Sequence, residues 1–199
     1  MKPVCLIIGA GAGIGGHVGK RFARDGYHII LSRRSDASGL ENLVKDIVQD
    51  GGSAEGRLLN IVDENAIENL IHDIEKNSGP IEVVVHNIGA QIGNRRLTDT
   101  SLKTFELGWR LSCFSLFRLA YTVLPLMAQR GKGTLLVTSS TAAQRGNAGQ
   151  HSHAAAMGGR RMLCQSLNAE FASQNIHVAH IVIDGAVDAP DTLGKMLGP

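Results

Sequence analysis

The chain has 199 residues, of which 43% are hydrophobic and 19% are charged, and its formal net charge is +2 at pH 7. This length suffices for one domain with a sizeable core. The small net charge and the lack of a basic run argue against nucleic-acid binding. The three cysteines are scattered without a CxxC pair, which argues against a disulfide scaffold or a thiolate zinc site. The apolar run near the N-terminus is too short for a signal peptide or a membrane span, so we expect a cytoplasmic protein without a membrane partner.

Short apolar runs alternate along the chain with longer segments of helical period. The predicted strands cover residues 4–8, 28–32, 54–59, 82–85, 133–138 and 177–183. The predicted helices cover residues 13–24, 39–48, 64–76, 102–129 and 152–172. Strands that are nearly continuous in Val, Ile and Leu are typical of a parallel sheet buried on both faces. The alternation predicts a single α/β domain over residues 1–199, a doubly wound, Rossmann-type parallel sheet of strand order 3-2-1-4-5-6.

A glycine-rich segment, residues 9–16, follows the first predicted strand directly. Two spacings fit it: GxGxxG starting at Gly11, and GxxxGxG starting at Gly9. Because the strand runs up to Ile8, the second spacing fits better. A turn without Cβ atoms lets the backbone touch a pyrophosphate, and the following helix start offers free N–H groups and a positive dipole end. The segment therefore predicts a dinucleotide-binding turn.

The end of the second predicted strand carries Arg33 and Arg34. An NAD site normally has an acidic residue here that accepts hydrogen bonds from the ribose hydroxyls, and residues 31–35 contain none. Two guanidinium groups favour bidentate binding of a 2′-phosphate, which predicts NADP(H) as the cofactor. The alternative is that both arginines are solvated in a surface loop.

Further motifs resemble those of the short-chain dehydrogenase/reductase family over essentially the whole chain. Residues 86–89 (His-Asn-Ile-Gly) are similar to the family's Asn-Asn-Ala-Gly turn, and residues 133–140 to the strand that carries its serine. Residues 124–127 are similar to part of its long interface helix. Residues 184–189 resemble its Pro-Gly-x-Val-x-Thr loop but lack the proline and the threonine. Members usually continue through one more strand, so the resemblance implies that this chain lacks that edge strand or is truncated.

The resemblance implies hydride transfer between a nicotinamide and a carbonyl or alcohol substrate. The resemblance also adds residues that follow later strands to the predicted cofactor-binding set. The full set is Gly9, Gly11, Gly13, Ile14, Gly15, Arg33, Arg34, Asn60, Asn87, Gly89 and Val187.

The family's catalytic residues are only partly present. In the family a tyrosine acts as acid/base, a lysine four residues later lowers its pKa, a serine polarises the substrate, and an asparagine on the long helix holds a relay water. The serine matches Ser140, but His153 stands in place of the tyrosine and Met157 in place of the lysine. Ser112 stands in place of the asparagine. Arg160, one turn beyond Met157, is an alternative source of positive charge.

His153 admits two interpretations. A histidine side chain ordinarily titrates near neutrality, so His153 could act as the proton donor beside Ser140, which predicts an unusual oxidoreductase. Alternatively, it fills space and hydrogen-bonds to Ser140 in a protein that binds the cofactor without catalysis, as a redox sensor or a partner subunit. His151 and His153 do not converge on a helix, so no metal site is expected. His86 is expected to be a packed or cofactor-flanking residue.

A homodimer is expected through residues 105–128 and 150–172. The long predicted helix carries more apolar residues than one sheet face should need: Leu116, Leu119, Ala120, Val123 and Leu126. The family pairs this helix with its copy around a twofold axis, which closed symmetry favours.

Overall fold

Six strands form one parallel sheet in the order β3-β2-β1-β4-β5-β6 in the computed structural model, which describes residues 2–89, 96–185, 187 and 189. The strands are β1 (Val4–Ile8), β2 (His28–Arg33), β3 (Ser53–Leu58), β4 (Ile81–His86), β5 (Gly133–Ser140) and β6 (Ile176–Ile183). Every residue of β1 is buried because this strand lies centrally, with helices over both faces of the sheet. The predicted fold class and strand order are confirmed.

The helices follow the predicted alternation. They are α1 (Ile14–Arg24), α2 (Ala37–Gln49), α3 (Ala66–Asn77), α4 (Leu102–Trp109), α5 (Ser115–Arg130) and α6 (His151–Phe171). The structure differs from the prediction within one helix. A π-helical turn, Arg110–Phe114, interrupts the helix expected over residues 102–129. Such wide turns are frequent at functional sites.

The core lies in two layers, one on each face of the sheet. Helices α1 and α2 pack on one face, and α3, α5 and α6 pack on the other. Because the strands are parallel, their carboxyl ends meet at one edge of the sheet, where ligands of such folds bind. That edge carries the segments following β1, β2, β3, β4, β5 and β6, and so brings together residues that are far apart in the sequence.

The apolar face of α5 on which the dimer seam was predicted is buried within this chain. Leu116, Leu119 and Val123 are fully buried in the core, Ala120 is 2% exposed, and Leu126 packs against them. These side chains therefore belong to the chain's own core and do not argue for a dimer, because α5 turns them toward its own sheet. The homodimer through residues 105–128 and 150–172 stays a prediction. The stretch Leu102–Arg130 is long and apolar enough to cross a membrane, but 44% of its most apolar window is buried within the fold. A helix in the core of a globular domain can have the same length and apolar composition.

Candidate cofactor and active site

The glycine turn between β1 and α1 is built so that backbone faces outward. Gly9 has φ of +93°, and a Cβ there would collide with the carbonyl oxygen of Asn87. A Cβ at Gly15 would lie 2.9 Å from the Cα of Ala10, whereas one at Gly11 would meet nothing within 4 Å. The turn thus requires glycine where chains approach closely and leaves open space at Gly11. Helix α1 begins after Gly13 without a side-chain cap, although the N–H of Gly16 donates to the carbonyl of Gly11 at 2.8 Å. An uncapped helix start of this kind suits an anion.

Asn87 connects the glycine turn to the centre of the sheet. Its amide Nδ2 donates to the carbonyl oxygen of Gly9 at 2.8 Å, and its Oδ1 accepts from the hydroxyl of Thr138 at 2.8 Å. Its backbone N–H donates to the carbonyl of Ile8 at 2.8 Å. These bonds hold the turn after β4 against the turn after β1. Asn87 therefore has a structural reason to be an asparagine in addition to its predicted contact with the cofactor.

A cavity of about 350 Å³ opens beside the glycine turn and extends to the end of β2. Its lining includes seven of the eleven predicted cofactor-binding residues: Gly9, Gly11, Arg33, Arg34, Asn60, Asn87 and Gly89. The lining joins the glycine turn, predicted to bind the pyrophosphate, to the arginine pair, predicted to bind the 2′-phosphate. Of the remaining four, Ile14 lines a second cavity, and Gly13, Gly15 and Val187 lie around the turn itself.

The arginine pair is less free than the sequence indicates. The Nη1 atom of Arg33 lies 2.9 Å from the Oδ2 atom of Asp36, which caps α2 by accepting from the N–H of Gly39. That backbone hydrogen bond, more than Arg33, lowers the pKa of the Asp36 carboxyl. Arg34 is exposed and has no ion-pair partner in the described part of the chain. The carboxyl group of Asp36 thus lies beside the arginine pair, although residues 31–35 contain no acidic residue.

The second cavity, of about 210 Å³, lies at the carboxyl ends of β4, β5 and β6. Ser140 and His153 line it together, and the Oγ atom of Ser140 lies 3.1 Å from the Nε2 atom of His153. The two residues predicted as catalytic are therefore in hydrogen-bonding contact. Ser139 lines the same cavity but is buried, with its hydroxyl 3.6 Å from the sulfur of Met157.

Arg160 also lines this cavity, although it is only 1% exposed. Its Nη1 group donates to the carbonyl of Ile88 at 2.7 Å and to the hydroxyl of Ser112 at 3.1 Å. Its Nη2 group donates to the Nδ1 atom of His86 at 2.6 Å and to the carbonyl of His86 at 3.0 Å. The sequence offered one signal for this residue, its position one turn beyond Met157. The sequence could not indicate that the hydrogen-bond partners of Arg160 come from three other segments of the chain.

His86 is fully buried beside this guanidinium, as the packed role predicted for it requires. Because its Nδ1 accepts from Arg160, its Nε2–H donates to the hydroxyl of Ser115 at 2.8 Å, and Ser115 donates to the carbonyl of Leu111 at 2.6 Å. Burial, and secondarily the charge of Arg160, hold the pKa of His86 well below its ordinary value. His86 is thus a neutral imidazole with a defined tautomer.

Among the described residues no group of three or more His, Cys, Asp or Glu side chains could hold a metal ion. The polar side chains that line the second cavity carry hydroxyl, imidazole, guanidinium and amide groups. These side chains can donate hydrogen bonds to a substrate oxygen and exchange protons with it.

Comparison with known proteins gives one consistent match. The family model for short chain dehydrogenase matches residues 3–193. The chain is similar to 7alpha-hydroxysteroid dehydrogenase of Escherichia coli strain K12, with 29% identity over 98% of this chain and 74% of that protein. It is similar to the crystal structure of a short-chain dehydrogenase from Rhodopseudomonas palustris, with a TM-score of 0.87 and 31% identity over 94% of this chain and 85% of the other. A 7 alpha-hydroxysteroid dehydrogenase in complex with NADH and 7-oxo glycochenodeoxycholic acid gives a TM-score of 0.84 at 28% identity, over 90% of this chain and 69% of the other.

Proposed function

Because the chain belongs to the short-chain dehydrogenase family of NAD(P)(H)-dependent oxidoreductases, we propose that it binds NADP(H) and interconverts a carbonyl compound and an alcohol with a non-standard proton donor. The observation that carries the proposal is the 3.1 Å contact between Ser140 and His153 in a cavity that adjoins the glycine turn. This contact places a side chain that can donate a proton within reach of the hydroxyl that would polarise the substrate oxygen.

The residues around the first cavity fit the cofactor. The Cβ-free cradle of Gly9 and Gly15, the open space at Gly11 and the uncapped start of α1 suit a pyrophosphate. Arg34 is free to pair with a 2′-phosphate, and Arg33 would share its charge between that phosphate and Asp36. These contacts favour NADP(H) over NAD(H), with Arg34 as the main determinant.

The bound cofactor supplies the hydride that adds to the carbonyl carbon during reduction. The electron pair of the C=O bond then moves to the substrate oxygen, which needs a proton. The hydroxyl of Ser140 would polarise this oxygen by donating a hydrogen bond to it, and the imidazolium form of His153 would supply the proton, either directly or through the Ser140 hydroxyl, and so become a neutral imidazole. The imidazole is reprotonated from water. In the oxidative direction the imidazole accepts the proton instead.

Met157 shapes the cavity that contains Ser140 and His153, and Val187 packs on the glycine turn. Met157 is 2% exposed and stands one turn from His153 on α6, so it makes that wall of the cavity apolar. Val187 lies against Gly13, where a Cβ would come within 3.6 Å of its Cγ1 atom. An apolar, water-poor wall strengthens the hydrogen bonds that Ser140 and His153 make with the substrate oxygen.

Calorimetric titration with NADPH and NADH, followed by reduction assays on a panel of ketones and aldehydes, tests this proposal. We expect NADPH to bind and to be oxidised in the presence of at least one carbonyl compound. The substitution His153→Ala should abolish this oxidation. Binding without turnover of any carbonyl compound would support the other candidate, an inactive cofactor-binding protein that acts as a redox sensor or a partner subunit. The replacement of the family's tyrosine and lysine is the observation that favours that candidate.

We also propose a homodimer through α4, α5 and α6. The outer face of these helices exposes large apolar side chains, including Phe105, Trp109, Phe117, Tyr121 and Met162. An exposed apolar surface of this kind is typical of a protein interface. The cytoplasmic location expected from the sequence remains a prediction.

A further inference from the structure

The guanidinium of Arg160 is a buried cation without a carboxylate partner among the described residues. Its four Nη hydrogens are directed at the Ile88 carbonyl, the Ser112 hydroxyl, and the ring and carbonyl of His86. Burial lowers the pKa of Arg160 to about 10, which leaves it protonated at neutral pH. The neighbouring His86 is neutral, so the full positive charge stays at this point of the interior. An uncompensated buried charge is costly to a fold, and perturbed charges of this kind cluster at functional sites.

This charge lies at the wall of the cavity that contains Ser140 and His153. Arg160 lines that cavity, and its Nη1 atom lies 3.9 Å from the sulfur of Met157. Met157 stands where the family has its lysine, and Ser112, which accepts from Arg160, stands where the family has its helix asparagine. The guanidinium thus fills the space between two positions whose usual polar side chains are missing.

We propose that Arg160 is a positioning residue that supplies the active-site positive charge from one turn further along α6 than the family's lysine. Since its Nη donors bind the protein itself, Arg160 acts through its electric field, without binding the substrate. The field of a fixed cation stabilises negative charge that develops on the substrate oxygen as the hydride arrives. Its hydrogen bonds to His86 and Ile88 also hold the turn after β4 in place at the wall of this cavity. This inference rests on the proposed function, because it places the nicotinamide at this cavity.

The effect of the Arg160 charge can be measured from the affinities for the two cofactor forms, without any turnover. The nicotinamide ring of NADP⁺ is cationic and that of NADPH is neutral, so a nearby cation weakens the binding of NADP⁺ relative to that of NADPH. We would titrate both forms, by calorimetry, into the wild-type protein, Arg160→Gln, and Met157→Lys/Arg160→Gln. The glutamine keeps amide donors but removes the charge, and the second variant restores a charge from position 157. Arg161→Gln, at the next position of α6, is the matched control.

We expect Arg160→Gln to tighten NADP⁺ relative to NADPH by at least about tenfold, because Coulomb's law gives that factor for unit charges roughly 12 Å apart at an effective dielectric constant near 20 and a larger factor for closer charges. The added lysine should return the ratio toward the wild-type value, and Arg161→Gln should change it less than twofold. If Arg160→Gln does not fold, His86→Leu/Arg160→Met removes the cation and its polar neighbour together, which leaves fewer unpaired groups. The same shift of the ratio is expected for that variant.

An unchanged ratio in a folded variant that still binds both forms would overturn the assignment and leave Arg160 as a structural residue. That result would leave the proposed function intact. If the wild-type protein binds neither form, the proposed function fails, and the assignment of Arg160 fails with it.

Discussion

The Nε2 atom of His153 lies 3.1 Å from the Oγ atom of Ser140, although the two residues belong to α6 and to the end of β5. This contact predicts a direct kinetic effect. His153→Ala should lower kcat for carbonyl reduction by about a hundredfold or more, the usual contribution of general acid–base catalysis. His151→Ala removes a histidine two residues earlier on the same helix and should leave kcat within twofold. Equal activities of the wild-type protein and His153→Ala would exclude His153 as the proton donor.

The arginine pair predicts cofactor preference. NADPH should bind at least tenfold more tightly than NADH, since a bidentate arginine–phosphate contact contributes roughly 1.5–3 kcal/mol. Arg34→Ala should remove most of this preference, and Asp36→Asn should increase it by releasing Arg33 from its ion pair. Arg24→Ala, on the outer surface of α1, serves as a charge-matched control. Calorimetric titration measures all four proteins, and equal affinities for both cofactors in the wild type would contradict the proposal.

Restoring the family's catalytic pair should require a third change. The double variant His153→Tyr/Met157→Lys places a lysine where the Met157 sulfur lies 3.9 Å from the guanidinium of Arg160, so two cations would crowd one buried site. We therefore expect this variant to stay inactive and to unfold at lower urea concentration than the wild type. Adding Arg160→Leu should recover both stability and carbonyl reduction. If the double variant is as active as the triple variant, Arg160 does not compete with a lysine at position 157.

The exposed face of α4 and α5 predicts self-association. Phe117 and Tyr121 lie one turn apart with ring centroids 6.0 Å from each other, and Tyr121 is 74% exposed. Light scattering at tens of micromolar should give a dimer for the wild type and a monomer for Phe117→Glu/Tyr121→Glu. Val48→Glu changes an apolar residue of α2 that is 51% exposed and should leave the dimer intact. A monomeric wild type would rule out the interface.

The buried His86 predicts a pH dependence of stability. Its folded-state pKa lies below that of the unfolded chain, so the unfolded state binds the proton more readily. Its contribution to stability is therefore complete above about pH 6.5 and decreases as the pH falls below that value, by at most about 1.4 kcal/mol per pH unit. Urea denaturation between pH 5 and 8 should show this loss in the wild type and a weaker one in His86→Asn. If the free energy of unfolding depends on pH in the same way in both proteins, the assignment of this loss to His86 is wrong.

Local signals in the sequence determined the fold and the cofactor turn. The alternation of apolar runs and helical segments predicted the strand order, and the observed ends of the strands lie within two residues of the predicted ones. The requirement for glycine at Gly15 is also local in origin, because a Cβ there would meet the carbonyl oxygen of Gly9 and the Cα of Ala10. At Gly9 the positive φ is local, but the carbonyl that excludes a Cβ belongs to Asn87 after β4. The spacing of thirteen residues between Ser140 and His153, read through the family resemblance, was enough to predict their proximity.

The tertiary structure decided which groups surround those elements. Periodicity shows that α5 has an apolar face, but only packing determined that Leu116 and Val123 point to the sheet while Phe117 and Tyr121 point outward. Arg160 is the clearest case, since its partners at positions 86, 88 and 112 come from β4, the turn after it and the π-helical turn. A cation on a helix is ordinarily solvated, and no local pattern distinguishes it from one enclosed by distant segments. Its burial, and hence its charge at the cavity wall, follows from contacts between parts of the chain that meet only in the folded state.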